Sequence, residues 1–159
     1  MKGNYILGLI AMAAFALVSC DMLDDDISIR GNKPQKQITK SFNETYPDAR
    51  DVEWEFENGC WVVSYETGWG SDKVEYESWY DAEGNWIMTK REIRLSAVPQ
   101  HIKGALAADP EYGSSRLEDN EVEHYDVPTV DFYRFDIIHN GREMEIDVTE
   151  SGEVTPAKR

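Results

Sequence analysis

The segment from residue 52 to residue 90 constrains the fold most, because apolar and polar side chains alternate along most of its length. Val52, Trp54 and Phe56 alternate with glutamates, and the same alternation returns in residues 74–80. A period of two is typical of β-strands that bury one face and expose the other. Turn-forming sequences interrupt the alternation at residues 58–59, 68–72 and 83–85. The segment therefore predicts four strands in an antiparallel meander.

Two other parts of the chain have the spacing of short amphipathic helices. Ile38 and Phe42 are four residues apart, and Ile102 and Leu106 have the same separation. This spacing places apolar side chains on one face of a helix. We predict helices at residues 34–46 and 96–108.

The segments after the second predicted helix resemble those after the first. Residues 132–138 and 142–149 again alternate, and Asn140-Gly141 forms the turn between them. We therefore predict an α+β fold, built by tandem duplication of a short helix followed by a four-stranded antiparallel meander. In this prediction the helices pack on one face of the sheet. The two repeats would occupy residues 34–95 and 96–159 of one globular unit.

The first twenty residues predict export and lipidation. Lys2 precedes an apolar run at residues 5–18, which is shorter than the ~20 residues of a membrane-spanning helix. The run ends in the sequence LVSC, which resembles the lipobox of bacterial lipoproteins, where the cysteine thiol receives a diacylglyceryl group. An ordinary secretory signal with an accidental cysteine is the alternative. We predict that residues 1–19 are a lipoprotein signal peptide and that Cys20 is lipidated.

Lipidation would anchor the protein to the outer membrane of a Gram-negative bacterium, facing the periplasm or the cell surface. Residues 20–33 are polar and begin with an acidic cluster, so we predict a lipidated, flexible, acidic tether. With Cys20 used for lipid, Cys60 is the only other cysteine, and no intramolecular disulfide is expected. We expect Cys60 to pack as a small apolar side chain.

The charge of the chain excludes one class of partner. The sequence has 31 acidic and 16 basic residues, which give a formal net charge of −15. Such a surface repels nucleic acid and anionic lipid head groups, because binding to phosphates requires lysine and arginine. Solubility alone explains an acidic surface, and a basic partner or cationic ligand is the sharper interpretation. We predict no nucleic-acid partner, and membrane contact through the lipid anchor.

Several segments together carry a family resemblance. They are residues 42–49 (FNETYPDA), 52–54 (VEW), 77–86 (ESWYDAEGNW), Val98-Pro99 and 146–152 (IDVTESG). Through them the chain resembles periplasmic PepSY-like lipoproteins, whose fold is similar to that of the beta-lactamase inhibitor proteins. The resemblance covers about residues 34–157 and implies two copies of a helix on an antiparallel sheet, without an established enzyme activity. The inhibitor proteins grip an enzyme with loops and the sheet face, but no contact residue of theirs is matched here, so beta-lactamase inhibition is not inferred.

No catalytic or metal-binding pattern is visible in the sequence. His101, His124 and His139 are scattered, and none lies at zinc-ligand spacing from a cysteine or another histidine. No serine lies in a GxSxG motif, and no glycine-rich phosphate loop is present. Residues 81–85 have the length of a hairpin turn, whereas a calcium loop needs about twelve residues. We predict that the protein is not an enzyme and has neither a metal nor a cofactor.

All five tryptophans of the chain lie in residues 52–90. Comparison with the second half assigns Trp54, Trp61 and Trp86 to the core. Trp69 lies in a loop that is longer than its counterpart in the second half, and Trp79 lies where the alternation predicts solvent. Loops carry function more often than strands do, and ordinary packing is the alternative for each tryptophan.

We predict a non-catalytic cell-envelope lipoprotein that acts as a binding or inhibitory module. It would recognise an envelope protein or protease through exposed aromatic side chains on an acidic surface, because aromatic residues are frequent binding hot spots. The predicted partner-binding residues are Trp69, Trp79, Tyr65 and Tyr80. The alternative function is capture of a small ligand or carbohydrate on an aromatic shelf.

Overall fold

A computed structural model describes residues 34–157. The signal peptide, the lipidation of Cys20 and the tether were predicted for residues that lie outside this range. The described part contains two α-helices, α1 (Lys36–Thr45) and α2 (Gln100–Ala108). Its strands are β1 (Arg50–Glu57), β2 (Cys60–Thr67), β3 (Val74–Tyr80), β4 (Trp86–Arg94), β5 (Arg116–Leu117), β6 (Glu121–Asp126), β7 (Phe132–His139), β8 (Arg142–Thr149) and β9 (Val154–Pro156).

All nine strands of the described chain belong to one antiparallel sheet. Its order is β1-β2-β3-β4-β6-β7-β8-β9, and the two-residue β5 pairs with β7 beside this path. The prediction of two helices with an antiparallel sheet is therefore confirmed. The tandem four-stranded meander is not confirmed, because the sheet is continuous from β4 to β6 and the second half has five strands. Strands as short as β5 and β9 contain too few residues to show an alternating pattern.

Both helices lie on the same face of this sheet. Residues paired directly across neighbouring strands share a face. One such row crosses six strands and consists of Tyr65, Tyr76, Arg91, His124, Tyr133 and Val148. Tyr65 belongs to the apolar cluster around α1, whereas Tyr133 and Val148 belong to the cluster around α2.

Each helix buries its two predicted apolar residues in its own cluster. Ile38 and Phe42 of α1 are fully buried, and the Phe42 ring lies edge-on to Tyr65 with 4.9 Å between centroids. Ile102 and Leu106 of α2 pack on β6, β7 and β8. Burial of each such side chain contributes about 1.5–3 kcal/mol to stability. The i, i+4 spacing therefore predicted the buried face of both helices correctly.

A polar seam separates the two apolar clusters at the centre of the sheet. The Nε atom of Arg91 donates a hydrogen bond to Nδ1 of His124 over 3.3 Å. The His124 ring is buried and stacks on Tyr133 at 4.6 Å between centroids. Its Nε2 atom has no hydrogen-bond partner among the described residues. Burial, and then the Arg91 charge, lower the pKa of His124, so the ring is held neutral.

Cys60 is buried, as expected for a small apolar side chain, with 3% of its surface exposed. It is not a free thiol. The expectation that the mature chain has no intramolecular disulfide depends on the lipidation of Cys20, which lies outside the described residues, so it stays a prediction.

Candidate functional site

The face of the sheet opposite the helices is called the open face below. Among the described residues neither helix covers it. Its side chains alternate along each strand with those of the core; on β2, β3 and β4 they include Val62, Ser64, Glu66, Glu75, Glu77, Trp79, Met88, Lys90 and Glu92. The period-two pattern of the sequence predicted this division, because adjacent strand residues point to opposite sides.

A concavity of about 650 Å³ lies on the open face of the first half. Its walls carry the carboxylates of Asp51, Glu53, Glu66, Glu75, Glu77, Glu92 and Glu121. Lys73 and Arg94 are the basic side chains of the same wall. The acids come from β3, β4, β6 and the region of β1 and β2, so strand pairing brings together charges that are up to 70 residues apart in sequence. We call this group of residues the acidic concavity.

Trp69 lies beside the acidic concavity and is 75% exposed. Its loop joins β2 to β3, and Glu66 and Lys73 on either side of that loop both line the concavity. The guanidinium of Arg50 lies over the indole, 3.7 Å from the ring centroid. Arg50 also donates a hydrogen bond to the carbonyl oxygen of Gly68. The indole is therefore held in place without being buried.

The backbone of the same loop is tightly folded. The amide of Asp72 donates to the carbonyl oxygen of Trp69 over 3.0 Å. Gly68 has φ of +73°, and a Cβ atom there would lie 2.1 Å from the carbonyl oxygen of Asp72. Only glycine fits this turn without displacement of the loop. Sequence reasoning selected Trp69 but missed Arg50, because the two residues meet only through the pairing of β1 with β2.

Trp79 lies on the open face near the far end of β3. It is directly paired with Val62 on β2 and with Met88 on β4, and all three side chains are half-buried. They form an apolar patch at the end of β3 opposite the Trp69 loop. The alternation that placed Trp79 on the solvent side is thus confirmed, and its role in binding remains a prediction.

Tyr65 and Tyr80 lie on the helix side of the sheet, and each is only 2% exposed. Tyr65 stacks on Tyr76 with 5.2 Å between centroids. Burial raises the pKa of Tyr80 to about 12 and also raises that of Tyr65. The prediction required exposed aromatic side chains, so it is wrong for these two residues. The reason is the pleat: Tyr80 follows Trp79 directly and therefore points to the other face.

The second half of the open face is aromatic and charged but internally paired. Arg134 donates two hydrogen bonds to Asp147, at 2.8 and 3.0 Å. Its guanidinium also lies 5.0 Å from the centroid of the Tyr125 ring, which stacks on Phe132 at 4.6 Å. The Tyr125 hydroxyl donates to Glu123 over 2.8 Å. These polar groups bind one another and thereby stabilise the sheet. They therefore leave fewer unpaired charges for a binding partner than the first half of the open face does.

The histidines do not meet in a catalytic arrangement. His101 is exposed on α2, His124 is buried in the polar seam, and His139 shares a 2.8 Å hydrogen bond with Ser115. Within residues 34–157, no three His, Cys, Asp or Glu side chains are placed to hold a metal ion. No helix in the same range is long and apolar enough to span a membrane.

No protein-family model and no curated protein match this sequence. Solved structures do share its fold. A DUF2874 family protein from Bacteroides ovatus is 16% identical with a TM-score of 0.62, and the match covers 79% of this chain and 89% of that chain. A BLIP-like protein from Bacteroides fragilis is 20% identical with a TM-score of 0.62, covering 80% and 89%. A candidate periplasmic protein from Bacteroides eggerthii is 16% identical with a TM-score of 0.62, covering 79% and 89%.

These structures show that the chain has a BLIP-like fold, which agrees with the fold that the sequence resemblance implied. At such low identity the likeness extends to the fold alone.

Proposed function

We propose that this protein is a non-catalytic binding module of the cell envelope. It recognises an envelope protein or protease through the open face of its first half. The acidic concavity is the floor of the site, and Trp69 and the Trp79 patch border it along β3. A BLIP-like protein and a candidate periplasmic protein among the structural neighbours support a binding role in the periplasm.

The observation that carries the proposal is the state of Trp69. Tryptophan side chains usually stabilise a protein by being buried. Trp69 is 75% exposed, so burial does not explain its presence here. Here the Arg50 stack and the folded loop keep the exposed ring in one place. A preordered aromatic side chain loses little conformational entropy when a partner covers it, which is the property of a binding hot spot.

Three finer assignments belong to the same proposal. The chain is a PepSY-like lipoprotein, its Cys20 carries the lipid, and its two halves arose by duplication of a helix-and-sheet unit. The sequence motifs described above support all three. Replacement of Cys20 by alanine should abolish incorporation of radiolabelled palmitate, and normal incorporation by the variant would contradict the lipid assignment.

The open face offers little support for the alternative, an aromatic shelf for a carbohydrate. Tyr65 and Tyr80 are buried, so the candidate aromatics on the open face are the exposed Trp69 and the half-buried Trp79. These two lie near opposite ends of β3, and the five residue steps from Val74 to Trp79 alone span about 17 Å. Stacking on one sugar ring requires aromatic side chains closer together than this.

Site-specific photo-crosslinking tests the binding function in the native host. A photo-reactive amino acid at Ser71, two residues from Trp69, should give one main protein adduct. The same amino acid at Lys40, which is exposed on the helix side, serves as the matched control. We expect the Ser71 adduct to disappear in the Trp69→Ala, Trp79→Ala double variant. The same adduct from both positions, or an undiminished adduct in the double variant, would reject this surface.

A further inference from the structure

We propose that the acidic concavity receives a basic segment of the protein partner, whose lysine or arginine side chains point into the concavity. This inference deepens the proposed function and rests on it. The occupant is a positively charged protein segment, and it runs along β3 on the open face of the first half.

Part of the negative charge of the concavity is already neutralised within the protein. Lys73 forms ion pairs with Glu66 and with Glu75, the latter over 2.8 Å. Lys90 forms an ion pair with Glu77 over 3.0 Å. Hydrogen bonds that Lys73 donates to Glu66 and Glu75 raise its pKa, so Lys73 is fully charged in both contacts.

Four further carboxylates line the concavity against one further basic side chain, Arg94, so their charge is not fully balanced among the lining residues. Asp51, Glu53 and Glu92 form no ion pair with any described residue, although they share one wall. Like charges on a shared concave surface repel each other and focus a negative potential into the space between them. A cationic side chain that enters the concavity relieves this repulsion, whereas an anionic or neutral one does not.

Apolar groups at both ends of the concavity favour a protein segment over a small polycation. Trp69 borders one end, and the patch of Trp79, Val62 and Met88 lies at the other end of β3. A small polyamine would use the charges and leave these apolar surfaces in water. A segment with basic side chains in its middle and apolar side chains at its ends uses both.

Neither edge strand of the described sheet favours a partner that binds by adding a strand. In β1 the register shifts between Arg50 and Glu53, and Asp51 has φ of +50°. The opposite edge strand, β9, contains Pro156. A bulge with charged side chains and a proline both disfavour addition of another strand. Recognition by backbone pairing at an edge is therefore disfavoured, and side-chain contacts on the open face remain.

Fluorescence anisotropy with defined peptides tests this inference. The full-length chain, purified in non-ionic detergent, is titrated into a labelled peptide of sequence LSKSKSKSL. Peptides in which glutamate or asparagine replaces lysine, and spermine as a small polycation, are the comparisons. Nine extended residues reach about 30 Å, enough to extend past both ends of β3. We expect the lysine peptide to bind more tightly than all three comparisons, and its affinity to fall with added salt.

Two charge variants locate the binding. Asp51→Asn, Glu53→Gln and Glu92→Gln together remove unpaired charge from the concavity. The matched control replaces the exposed Glu118, Glu143 and Glu153 of the second half by glutamine, with the same change in net charge. We expect the first variant to weaken binding of the lysine peptide roughly tenfold and the control variant to retain that binding.

Equal weakening by both variants, or equal binding of the lysine and asparagine peptides, would overturn the inference. Spermine binding as tight as that of the peptide would also overturn it, in favour of a small polycation. The result of the crosslinking experiment is separate. If the adduct at Ser71 still depends on Trp69 and Trp79 while the lysine peptide does not bind, the binding function stands and the basic partner is refuted.

Discussion

Replacement of Thr89 by valine should destabilise the protein, although valine is more apolar and has nearly the same shape. Thr89 lies on β4, is 5% exposed and is paired with Ser78 on β3. Its Oγ1 accepts a hydrogen bond from Nε1 of Trp86 over 2.9 Å. The same oxygen is hydrogen-bonded to Ser78 Oγ at 2.7 Å and to the hydroxyl of Tyr46, the residue directly after α1, at 3.2 Å.

The expected magnitude follows from these three contacts. Each hydrogen bond contributes about 1 kcal/mol net, so their loss costs about 3 kcal/mol. The added methyl group of valine returns about 0.8 kcal/mol of apolar burial. We therefore expect Thr89→Val to lower the free energy of unfolding by about 2 kcal/mol. The control Thr89→Ser keeps the hydroxyl, loses one buried methyl group and should cost about 1 kcal/mol.

Urea denaturation followed by tryptophan fluorescence measures both variants. The order is the decisive result: valine should be worse than serine, whereas apolar burial alone predicts that valine is the better tolerated of the two. A Thr89→Val variant as stable as the unmodified protein would show that the hydroxyl network contributes nothing to stability.

Further predictions concern the polar seam and the Trp69 loop. Because burial and Arg91 lower the pKa of His124 in the folded state, its stabilising effect is complete above its ordinary pKa of 6.5 and is lost as the pH falls toward the lowered value. His124→Gln should remove this loss of unfolding free energy at low pH, which is at most about 1.4 kcal/mol per pH unit. The control His101→Gln, at a surface position, should leave the loss unchanged. If the two variants show the same dependence of stability on pH, the prediction is wrong. Gly68→Ala should destabilise by about 1 kcal/mol or more beyond Gly59→Ala, because both have positive φ but only Gly68 faces a steric clash; urea midpoints that coincide would refute this.

Much of the local structure could be predicted from the sequence because it depends on neighbouring residues. The alternation in residues 52–56 and 74–80 indicated which side chains lie on each face, and Trp79 lies on the predicted side. The i, i+4 pairs predicted the buried face of each helix. The same alternation predicts that Tyr80, which follows the outward-facing Trp79, points inward, in conflict with its assignment as a partner-binding residue.

The number of strands in the sheet and their order were harder to predict from the sequence. Short segments such as β5 and β9 have no periodicity of their own, and their conformation depends on the strand beside them. The junction of β4 with β6 joins the two halves into one sheet across the α2 segment. Nothing within either strand encodes that pairing.

The candidate site, too, was only partly predictable from the sequence. Its residue types were visible, since acidic residues alternate along β1 and β3 and Trp69 lies in a glycine-flanked loop. The Arg50 stack on Trp69, and the meeting of Asp51, Glu53 and Glu92 in one concavity, were not visible. Sequence period determines the face on which a side chain lies, because that depends on the backbone of its own strand. The tertiary structure alone decides which charges and rings become neighbours, because that depends on strand order and register.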